Sequence, residues 1–511
     1  MHIAMASDHA GRPFMDPLAE VARSLGHEVH FVGPLTGDSV DYPLAAEALC
    51  KEIGSGRAER GILLCGSGAG VTVAANKMPL IRASSTENIY TAHQMVEHDA
   101  VNVITLGART LGVEPAKEIV AAYLKAEFTG EERHRRRLGE VLRIAREQHM
   151  NPMYDLHETG QRIWLDYIRR DILDNGTLAR YIEELSVTGL TSNPSIFDKA
   201  IADTDLYDAE IRSLRASGVT DREDIFFTLA IQDLKRAASL FKTIWDVSGH
   251  TDGCCSLEVS PLLANDTETT IQQGDALFKR ADSPNLMIKV PGTPEGAPAI
   301  EELIARGINI NVTLLFSEAQ YRRAAEAYIQ GLERRAEAGE PLDNFSVASV
   351  FVSRWDKAAM DDLPDNLKDK LGVAASVQCY RAFHEIFSGP RWEALAAKGA
   401  NPQKLLFAST STKDPSLPDT FYVAALAADG TVNTIPEKTL LAFADHGEVT
   451  GVLSEADMKA ADETIAQCKA AGLDVDALGE RLQIEGRDAF NKSWGDLMDA
   501  IDEKSQDLQS A

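Results

Sequence analysis

A lysine stands inside an apolar run at residues 286–296, which read LMIKVPGTPEG. The apolar residues on both sides of Lys289 are typical of a short buried strand. A charged amine in such a strand loses hydration free energy unless it gains a partner or gives up its proton. Two interpretations are open: an edge-strand lysine with its amine in solvent, or an unprotonated amine that attacks a carbonyl carbon.

Polar side chains also stand where several other apolar runs end. A single residue of this kind is more often an edge residue or a satisfied polar group. A purely structural core, however, has no reason to desolvate polar groups at the same end of several strands. These residues are Thr191, Asn193, Glu258, Asn311, Thr313, Ser349, Arg354, Ser409 and Lys413.

A second candidate site lies in the glycine-rich stretch LLCGSGAGV at residues 63–71. Cys65 ends an apolar strand, and Gly66, Gly68 and Gly70 lie in a turn that leads into a helix. Glycines at such a turn let backbone N–H groups converge on an anion. The spacing differs from the dinucleotide pattern G-x-G-x-x-G. The alternative is an ordinary glycine turn that follows a core cysteine.

Further polar residues cluster within residues 1–150. Arg133 and Arg137 are four residues apart and therefore share one face of a predicted helix. The other candidates follow predicted strands or precede them. They are Asp8, His9, Asp41, Ser67, Asn76, Lys77, His98 and Asp99.

The elements that must position these residues follow two patterns. In residues 1–150, the apolar runs HIAMAS, HEVHFVG, RGILLC and NVITLGAR alternate with helical segments. This alternation predicts a doubly wound, Rossmann-like parallel sheet with helices on both faces. Residues 148–156 read QHMNPMYDL, where Asn-Pro is a turn signal. We therefore place a domain boundary between residues 150 and 151.

Residues 151–511 contain seven strand candidates and one less obvious strand. The seven read LSVTGLT, CCSLEVS, LMIKV, GININVTLLF, FSVASVFVS, KLLFAS and TVNTIP. Eight strand–helix units in a segment of this length favour a (β/α)₈ barrel, in which the chemistry lies where the strands end. The tail from Ser454 is predicted as amphipathic helix.

Composition limits the classes of function. The 511 residues carry a net charge of −27, and no basic region is broad enough to hold nucleic acid. An anionic substrate must therefore be held by local cations and backbone amides. No apolar run reaches the ~18 residues of a membrane span, and six cysteines are too few for a disulfide framework. We expect a reduced, cytoplasmic protein without nucleic-acid or membrane partners.

The segments SVTGLTSNPSIF, LEVSP, MIKVPGTPEG, GININVTLLFS and SVFVSR resemble those of transaldolases, in the same order. The resemblance implies a (β/α)₈ barrel in which Lys289 forms a Schiff base with a ketose phosphate. It implies that Glu258 acts as acid and base through a water and that Asp166 takes the C4 hydroxyl proton. From composition alone, Asp166 is better described as a solvated helix charge. The iminium is the electron sink, so no metal or cofactor is expected.

The same resemblance assigns substrate contacts. Asn193 and Asn311 hold the dihydroxyacetone unit, and Thr191 and Thr313 place Glu258 and its water. Ser349, Ser409 and Arg354 contact the substrate and its phosphate. Many transaldolases carry a second phosphate-binding arginine where this chain has Ser411. Lys413 is the expected substitute.

The motifs SDHAG, CGSGAG and AANK, together with His98 and RHRRR, resemble ribose-5-phosphate isomerase B. The resemblance implies an aldose–ketose isomerisation through a cis-enediolate, with Cys65 as the base and Ser67 as a proton relay. The loop with Gly66, Gly68 and Gly70 would stabilise the enediolate, and His98 would open the sugar ring. The remaining implied contacts with the substrate or its phosphate are Asp8, His9, Asp99, Arg133 and Arg137. In that family a dimer shares the pocket and no metal is needed, so we expect a homodimer or larger assembly.

This chain departs from the isomerase pattern in three places. Asp99 stands where the family has asparagine, RPFMDP follows SDHAG, and the stretch SSTENIYTAHQMVEH at residues 84–98 differs from the usual pattern. Three hypotheses therefore remain open. The chain is a bifunctional sugar-phosphate enzyme, or a transaldolase whose first half is a dimerisation module, or a Schiff-base aldolase that acts on free dihydroxyacetone.

Overall fold

The computed structural model describes residues 1–34 and 39–510. The described chain forms two compact units. The first contains Met1–His149, Arg170–Glu184 and Arg236–Gly249, and the second contains the rest. The domain boundary between residues 150 and 151 stays a prediction.

The first unit contains a parallel five-stranded sheet with the strand order β2-β1-β3-β5-β4. This confirms the predicted Rossmann-like sheet. Strand β4 was not predicted, because it is only three residues long and contains two serines. The strands are β1 (His2–Ser7), β2 (Glu28–Phe31), β3 (Arg60–Cys65), β4 (Ala83–Ser85) and β5 (Val103–Gly107).

Alternate residues of the central strands enter two separate cores. Ile3 and Met5 of β1 pack into one core, and Ala4 and Ala6 pack into the other. The sheet is therefore covered on both faces, as parallel sheets usually are. The helices before residue 150 are α1 (Met15–Ser24), α2 (Tyr42–Gly54), α3 (Ala69–Ala75), α4 (Ile89–Asp99), α5 (Val113–Lys125) and α6 (Glu132–Glu147).

The second unit contains a closed barrel of eight parallel strands, in the order β10-β11-β12-β13-β6-β7-β8-β9. This confirms the predicted (β/α)₈ barrel. The less obvious strand is β6, and Asp166 is its last residue, so the description of Asp166 as a helix residue is wrong. The strands are β6 (Arg162–Asp166), β7 (Val187–Thr191), β8 (Cys255–Glu258), β9 (Leu286–Pro291), β10 (Ile310–Leu315), β11 (Ser346–Phe351), β12 (Lys404–Ala408) and β13 (Val432–Ile435).

Helices follow the barrel strands, and two long helices end the chain. Side-chain caps fix several helix starts: Ser317 and Gln320 form a reciprocal capping box at α15. The helices are α7 (Pro152–Glu158), α8 (Arg170–Asp174), α9 (Thr177–Glu184), α10 (Pro194–Ala202), α11 (Asp208–Ala216), α12 (Arg222–Val247), α13 (Thr267–Ala281), α14 (Gly296–Ala305), α15 (Glu318–Ala338), α16 (Ser353–Ala359), α17 (Leu371–Ile386), α18 (Pro390–Ala396), α19 (Phe421–Ala425), α20 (Glu437–His446), α21 (Glu455–Ala470) and α22 (Val475–Ser510).

The strand register brings distant polar residues to one level. Glu258 of β8 pairs with Lys289 of β9, which pairs with Asn311 of β10. On the strands that precede β8 in the barrel, Asp166 of β6 pairs with Thr191 of β7. Since neighbouring strands stand ~4.8 Å apart, matched residues on one face come within reach of one another.

Among the described residues, none of the helices combines the length and the apolar content needed to cross a bilayer.

The packing of Trp164 inside the barrel wall gives a stability prediction. A Cβ added at Gly189 would lie 2.5 Å from Trp164 Nε1, which donates a hydrogen bond of 2.9 Å to Asp252. We expect Gly189→Ala to lower the free energy of unfolding by about 1–3 kcal/mol through overpacking. Thermal or urea unfolding measures this change.

Gly495→Ala is the matched control. Gly495 lies at an exposed position of helix α22, and nothing is within 4 Å of an added Cβ. Alanine there should raise stability by about 0.5–1 kcal/mol. A Gly189→Ala variant as stable as the wild type would show that Trp164 does not fill this space.

Candidate active sites

A cavity of about 210 Å³ lies at the carboxyl ends of the barrel strands. Its walls come from seven strands or the segments that follow them, and from helix α22. Nine predicted site residues line it: Asp166, Thr191, Asn193, Lys289, Thr313, Ser349, Arg354, Ser409 and Lys413.

Lys289 is buried in the barrel, with 5% of its surface exposed. Its Nζ donates hydrogen bonds to Glu258 Oε2 at 3.0 Å and to the carbonyl oxygen of Ser192 at 3.2 Å. A closed barrel has no edge strand, so the interpretation of Lys289 as an edge-strand lysine with its amine in solvent is wrong.

Glu258 is the buried partner of Lys289. Burial raises the pKa of Glu258, although the nearby Lys289 amine opposes this shift. Its second oxygen, Oε1, is buried and has no hydrogen-bond partner in the described chain. The Thr313 hydroxyl oxygen is likewise buried and has no hydrogen-bond partner among the described residues. Buried polar atoms are nearly always paired, so both atoms are candidates to bind a water or a substrate hydroxyl.

Asp166 lies across the cavity at the end of β6. Thr191 Oγ1 donates to Asp166 Oδ1 at 2.9 Å and lies 2.6 Å from Thr434 Oγ1. A hydroxyl carries one proton, so Thr434 donates to Thr191 when Thr191 donates to the carboxylate. Burial raises the pKa of Asp166, while Lys289 and the Thr191 hydroxyl lower it. The structure therefore places Thr191 on Asp166, whereas the resemblance implied a place beside Glu258.

Two asparagines predicted to hold substrate are themselves held by protein groups. Asn193 Oδ1 accepts the Ile196 N–H at 3.1 Å and so caps α10. Asn311 Nδ2 donates to Ser256 Oγ at 3.0 Å, and Ser349 Oγ donates to Asn311 Oδ1 at 2.7 Å. These bonds fix the orientation of both amides beside the lysine.

Two cations lie at the outer side of the cavity. The Arg354 guanidinium lies 5.2 Å from the Phe351 ring and 6.0 Å from the Phe490 ring. Lys413 Nζ donates to Ser411 Oγ at 2.8 Å. Burial lowers the pKa of both side chains, and Arg354 lowers that of Lys413 further. In the described part of the chain, neither cation has a carboxylate within ion-pair distance, so this corner favours an anion.

The candidate site of the first unit lies around Cys65, the last residue of β3. Cys65 is buried, and its Sγ accepts the Gly68 N–H at 3.1 Å. Gly68 has a φ of +81°, a conformation that favours glycine. Gly70 also has no room for a side chain, because an added Cβ would lie 2.9 Å from the Tyr42 ring. Ser67 is exposed on this turn.

Sequence reasoning missed Arg109, which lies next to this turn. Its side chain comes within 3.4 Å of the position that a Cβ on Gly66 would occupy, and its N–H donates to the Gly66 carbonyl at 2.9 Å. The sequence could have indicated Arg109, because it follows the apolar run of strand β5 and therefore lies at the carboxyl edge of the sheet.

Asp8 and His9 follow strand β1. Asp8 is buried, and one of its oxygens accepts the N–H groups of Ala10 and Gly11 at 2.8 and 2.9 Å. It therefore shapes the loop after β1, while the His9 side chain is exposed.

His98, near the end of α4, stacks on His134 with ring centroids 3.9 Å apart. His134 is buried, and its Nδ1 lies 2.8 Å from Thr129 Oγ1. Burial and the neighbouring His98 lower the pKa of His134. Within the described residues, no hydrogen bond or ring contact joins this histidine pair to the Cys65 turn.

The other candidates of the first unit lie at the surface. Arg133 pairs with Glu131 at 2.9 Å on α6. Asn76 binds both backbone groups of Ala83 and so supports β4. The exposed residues are Asp41, Lys77, Asp99, Arg133 and Arg137.

One group in the described chain has a geometry that could hold a metal ion. It consists of the exposed side chains His2, Glu28 and His30 on β1 and β2.

Comparison with known proteins gives a different family for each part of the sequence. The family model Transaldolase/Fructose-6-phosphate aldolase matches residues 163–501, and the family model Ribose/Galactose Isomerase matches residues 3–141. The transaldolase of Frankia alni is 44% identical over 359 residues, which cover 69% of this chain and 96% of that protein. The transaldolase of Thermobifida fusca is 43% identical over 360 residues, covering 69% and 97%. Ribose-5-phosphate isomerase B of Clostridium thermocellum is 38% identical, covering 29% of this chain and 99% of that one, with a TM-score of 0.28.

Asp356 gives a pH-dependent prediction for the element that carries Arg354. It is buried in α16, where it accepts the Gly372 N–H at 3.0 Å and the Tyr422 hydroxyl at 2.9 Å. Burial raises the pKa of Asp356 to about 6. Since the folded protein holds this proton more tightly than the unfolded chain, the contribution to stability is complete below about pH 4 and is lost as the pH rises through about 6.

Asp356→Asn removes this titration. Between pH 4 and pH 7, the free energy of unfolding of the variant should therefore rise relative to the wild type, by on the order of 2–3 kcal/mol. Urea unfolding at each pH measures this difference. Asp365→Asn is the exposed control, and because Lys368 lowers the pKa of Asp365, its trend should have the opposite sign. A constant difference between Asp356→Asn and wild type would contradict the prediction.

Proposed function

Because the chain belongs to the transaldolase/fructose-6-phosphate aldolase family and carries a ribose-5-phosphate isomerase B-like domain ahead of its barrel, we propose that it is bifunctional. The barrel would transfer dihydroxyacetone from sedoheptulose 7-phosphate to glyceraldehyde 3-phosphate. The first unit would interconvert ribose 5-phosphate and ribulose 5-phosphate. Both reactions belong to the non-oxidative pentose phosphate pathway.

The observation that carries the transaldolase proposal is the buried contact between Lys289 and Glu258. A lysine attacks a carbonyl only when its amine has no proton. Glu258 Oε2 is 3.0 Å away and can take that proton directly, and its burial favours the protonated carboxyl. The free amine then attacks C2 of the ketose and forms a C–N bond, giving a carbinolamine.

Dehydration of the carbinolamine needs the proton back. Protonated Glu258 can deliver it to the C2 hydroxyl, which leaves as water and gives the iminium. The unpartnered oxygens Glu258 Oε1 and Thr313 Oγ1 are suitable ligands for a water that relays this proton. Glu258 thereby serves as base and then as acid.

Cleavage of the C3–C4 bond requires a base at the C4 hydroxyl. Asp166 faces the same cavity, and the Thr434–Thr191 hydroxyl pair orients its carboxylate. When Asp166 takes the proton, the electron pair of the broken bond moves into the iminium and the aldose phosphate leaves. The reverse sequence joins the enamine to the acceptor aldehyde.

Arg354 and Lys413 support a phosphorylated substrate. Both line the cavity without a carboxylate partner among the described residues, and a guanidinium matches the geometry of phosphate. Lys413 would serve as the second cation that Ser411 does not provide. This corner favours transfer between sugar phosphates over an aldolase that acts only on free dihydroxyacetone.

The isomerase proposal rests on the turn that follows β3. The Gly68 N–H donates to Cys65 Sγ and so holds the sulfur at the start of the glycine turn. Cys65 would move the proton between C1 and C2, and the amides of the glycine turn would bind the enediolate oxygen. Ser67 would relay the hydroxyl proton, and His98 would open the ring. We add Arg109 to His9, Arg133 and Arg137 as a candidate phosphate contact.

The alternative function for the first unit is a dimerisation module with weak or no isomerase activity. The exposed carboxylate of Asp99 favours it, since a negative charge repels the oxygens of an anionic substrate. A homodimer formed through this unit and a cytoplasmic location are further proposals; all six cysteines are free, which suits a reducing compartment.

Lys289→Ala tests the transaldolase assignment. We expect transfer from sedoheptulose 7-phosphate to fall by at least about 10³-fold, because the variant lacks the amine beside Glu258 that forms the imine. Isomerase activity on the same sample should not change. Lys404→Met is the matched control, since Lys404 is a half-buried lysine at the start of β12 and should leave transfer intact. Transfer by Lys289→Ala at a wild-type rate would refute the assignment.

Cys65→Ala tests the isomerase assignment. Turnover of ribulose 5-phosphate should fall by at least about 10²-fold if Cys65 is the base, while the buried control Cys50→Ala keeps the wild-type rate. If wild type and Cys65→Ala show equal, negligible rates, the first unit is the dimerisation module. The size of the protein in solution then tests that role.

A further inference from the structure

Helix α22 forms part of the wall of the barrel cavity. Gln483, Gly486, Phe490 and Ser493 recur at the spacing of one helix face. Each of the four meets a segment that follows a barrel strand or a residue that lines the cavity.

Gln483 fixes one end of this face. It is buried, and its Nε2 donates to the carbonyl oxygens of Leu314 at 2.8 Å and Gly292 at 3.2 Å. Leu314 has a φ of +59° at an irregular point of β10, a strained conformation for leucine. The hydrogen bond from Gln483 ties α22 to the ends of the strands that carry Lys289 and Thr313.

Two further contacts hold the middle of the face. A Cβ added at Gly486 would lie 3.0 Å from Leu314 and 3.1 Å from Arg354 Nη1, so the helix backbone packs directly on the cavity wall. Ser195, which follows β7, donates to Ser493 Oγ at 2.6 Å. The helix is therefore attached to both sides of the mouth.

Phe490 lies between these attachments and faces the reacting groups. Its ring centroid is 5.5 Å from Lys289 Nζ and 6.0 Å from the Arg354 guanidinium carbon. The ring centroids of Phe490 and Phe351 are 6.4 Å apart. Phe490 lines the cavity, and 6% of the residue is exposed. An apolar ring at this position excludes water from the space next to the amine.

We propose that Phe490, held by α22, shields the enamine on Lys289 from water and so decides between transfer and release. The inference rests on the proposed Schiff-base reaction. The enamine has two fates. Its C3 carbon forms a C–C bond with the acceptor aldehyde, whose oxygen takes a proton from Asp166. Alternatively, C3 takes a proton that derives from solvent water, and a second water then attacks the iminium and breaks the C–N bond. The second route frees dihydroxyacetone and the Lys289 amine.

The test compares Phe490→Ala and Phe490→Leu with wild type in the full chain. Sedoheptulose 7-phosphate and glyceraldehyde 3-phosphate are supplied together, and free dihydroxyacetone is measured against fructose 6-phosphate formed. We expect the ratio to rise by at least about tenfold in Phe490→Ala and by less in Phe490→Leu, which keeps more apolar volume. In heavy water, the released dihydroxyacetone should carry deuterium at the former C3.

Leu497→Ala is the matched control. Leu497 is fully buried on α22 and does not line the cavity, so its truncation weakens the helix packing without opening the site. It should lower stability and keep the wild-type product ratio. If the role of Phe490 were purely structural, Phe490→Ala and Leu497→Ala would change the stability and the product ratio in the same way.

The outcomes separate this inference from the proposed function. If the wild type transfers and the ratio of dihydroxyacetone to fructose 6-phosphate is unchanged in Phe490→Ala and Phe490→Leu, the role of Phe490 is refuted. The proposed Schiff-base reaction then still stands. Wild type that forms no transfer product overturns the Schiff-base proposal itself. If Phe490→Ala does not fold, the ratio in Phe490→Leu decides, and an unchanged value there counts against the shield.

Discussion

The buried contact between Lys289 and Glu258 is the constraint on which the rest of the barrel depends. Two charged groups in a closed, apolar barrel lose more hydration free energy than a hydrophobic pair would, so stability alone does not explain their presence. The pair is useful when the proton can move between them and a substrate. The register between β8 and β9 places the two side chains side by side, and helix α22 is attached to the end of β9 through Gln483.

The two units position their candidate reactive groups in the same way. Both place the groups that we propose to react where parallel strands end, Lys289 and Asp166 in the barrel and Cys65 in the open sheet. The chain carries a net charge of −27, so it cannot attract sugar phosphates by a general field. Phosphate recognition must instead come from a few local cations, such as Arg354 and Lys413 in the barrel.

The sequence allowed the barrel, the open sheet and most of the cavity residues to be predicted, because long apolar strands end in polar residues there. Strand β4 was missed, since Ala83–Ser85 is short, polar and at the edge of the sheet. The partner of Thr191 and the place of Phe490 could not be predicted. Phe490 lies far along the chain from Lys289, and an amphipathic pattern shows that α22 buries one face but not which strands it meets.

The most direct test of the central claim is to locate the covalent adduct. Wild-type protein is incubated with fructose 6-phosphate and borohydride and then digested, and the masses of its peptides are measured by mass spectrometry. We expect one reduced dihydroxyacetone unit per chain, attached to Lys289 within residues 286–296. An adduct on Lys404 or Lys413, or continued transfer with no adduct at all, would contradict it.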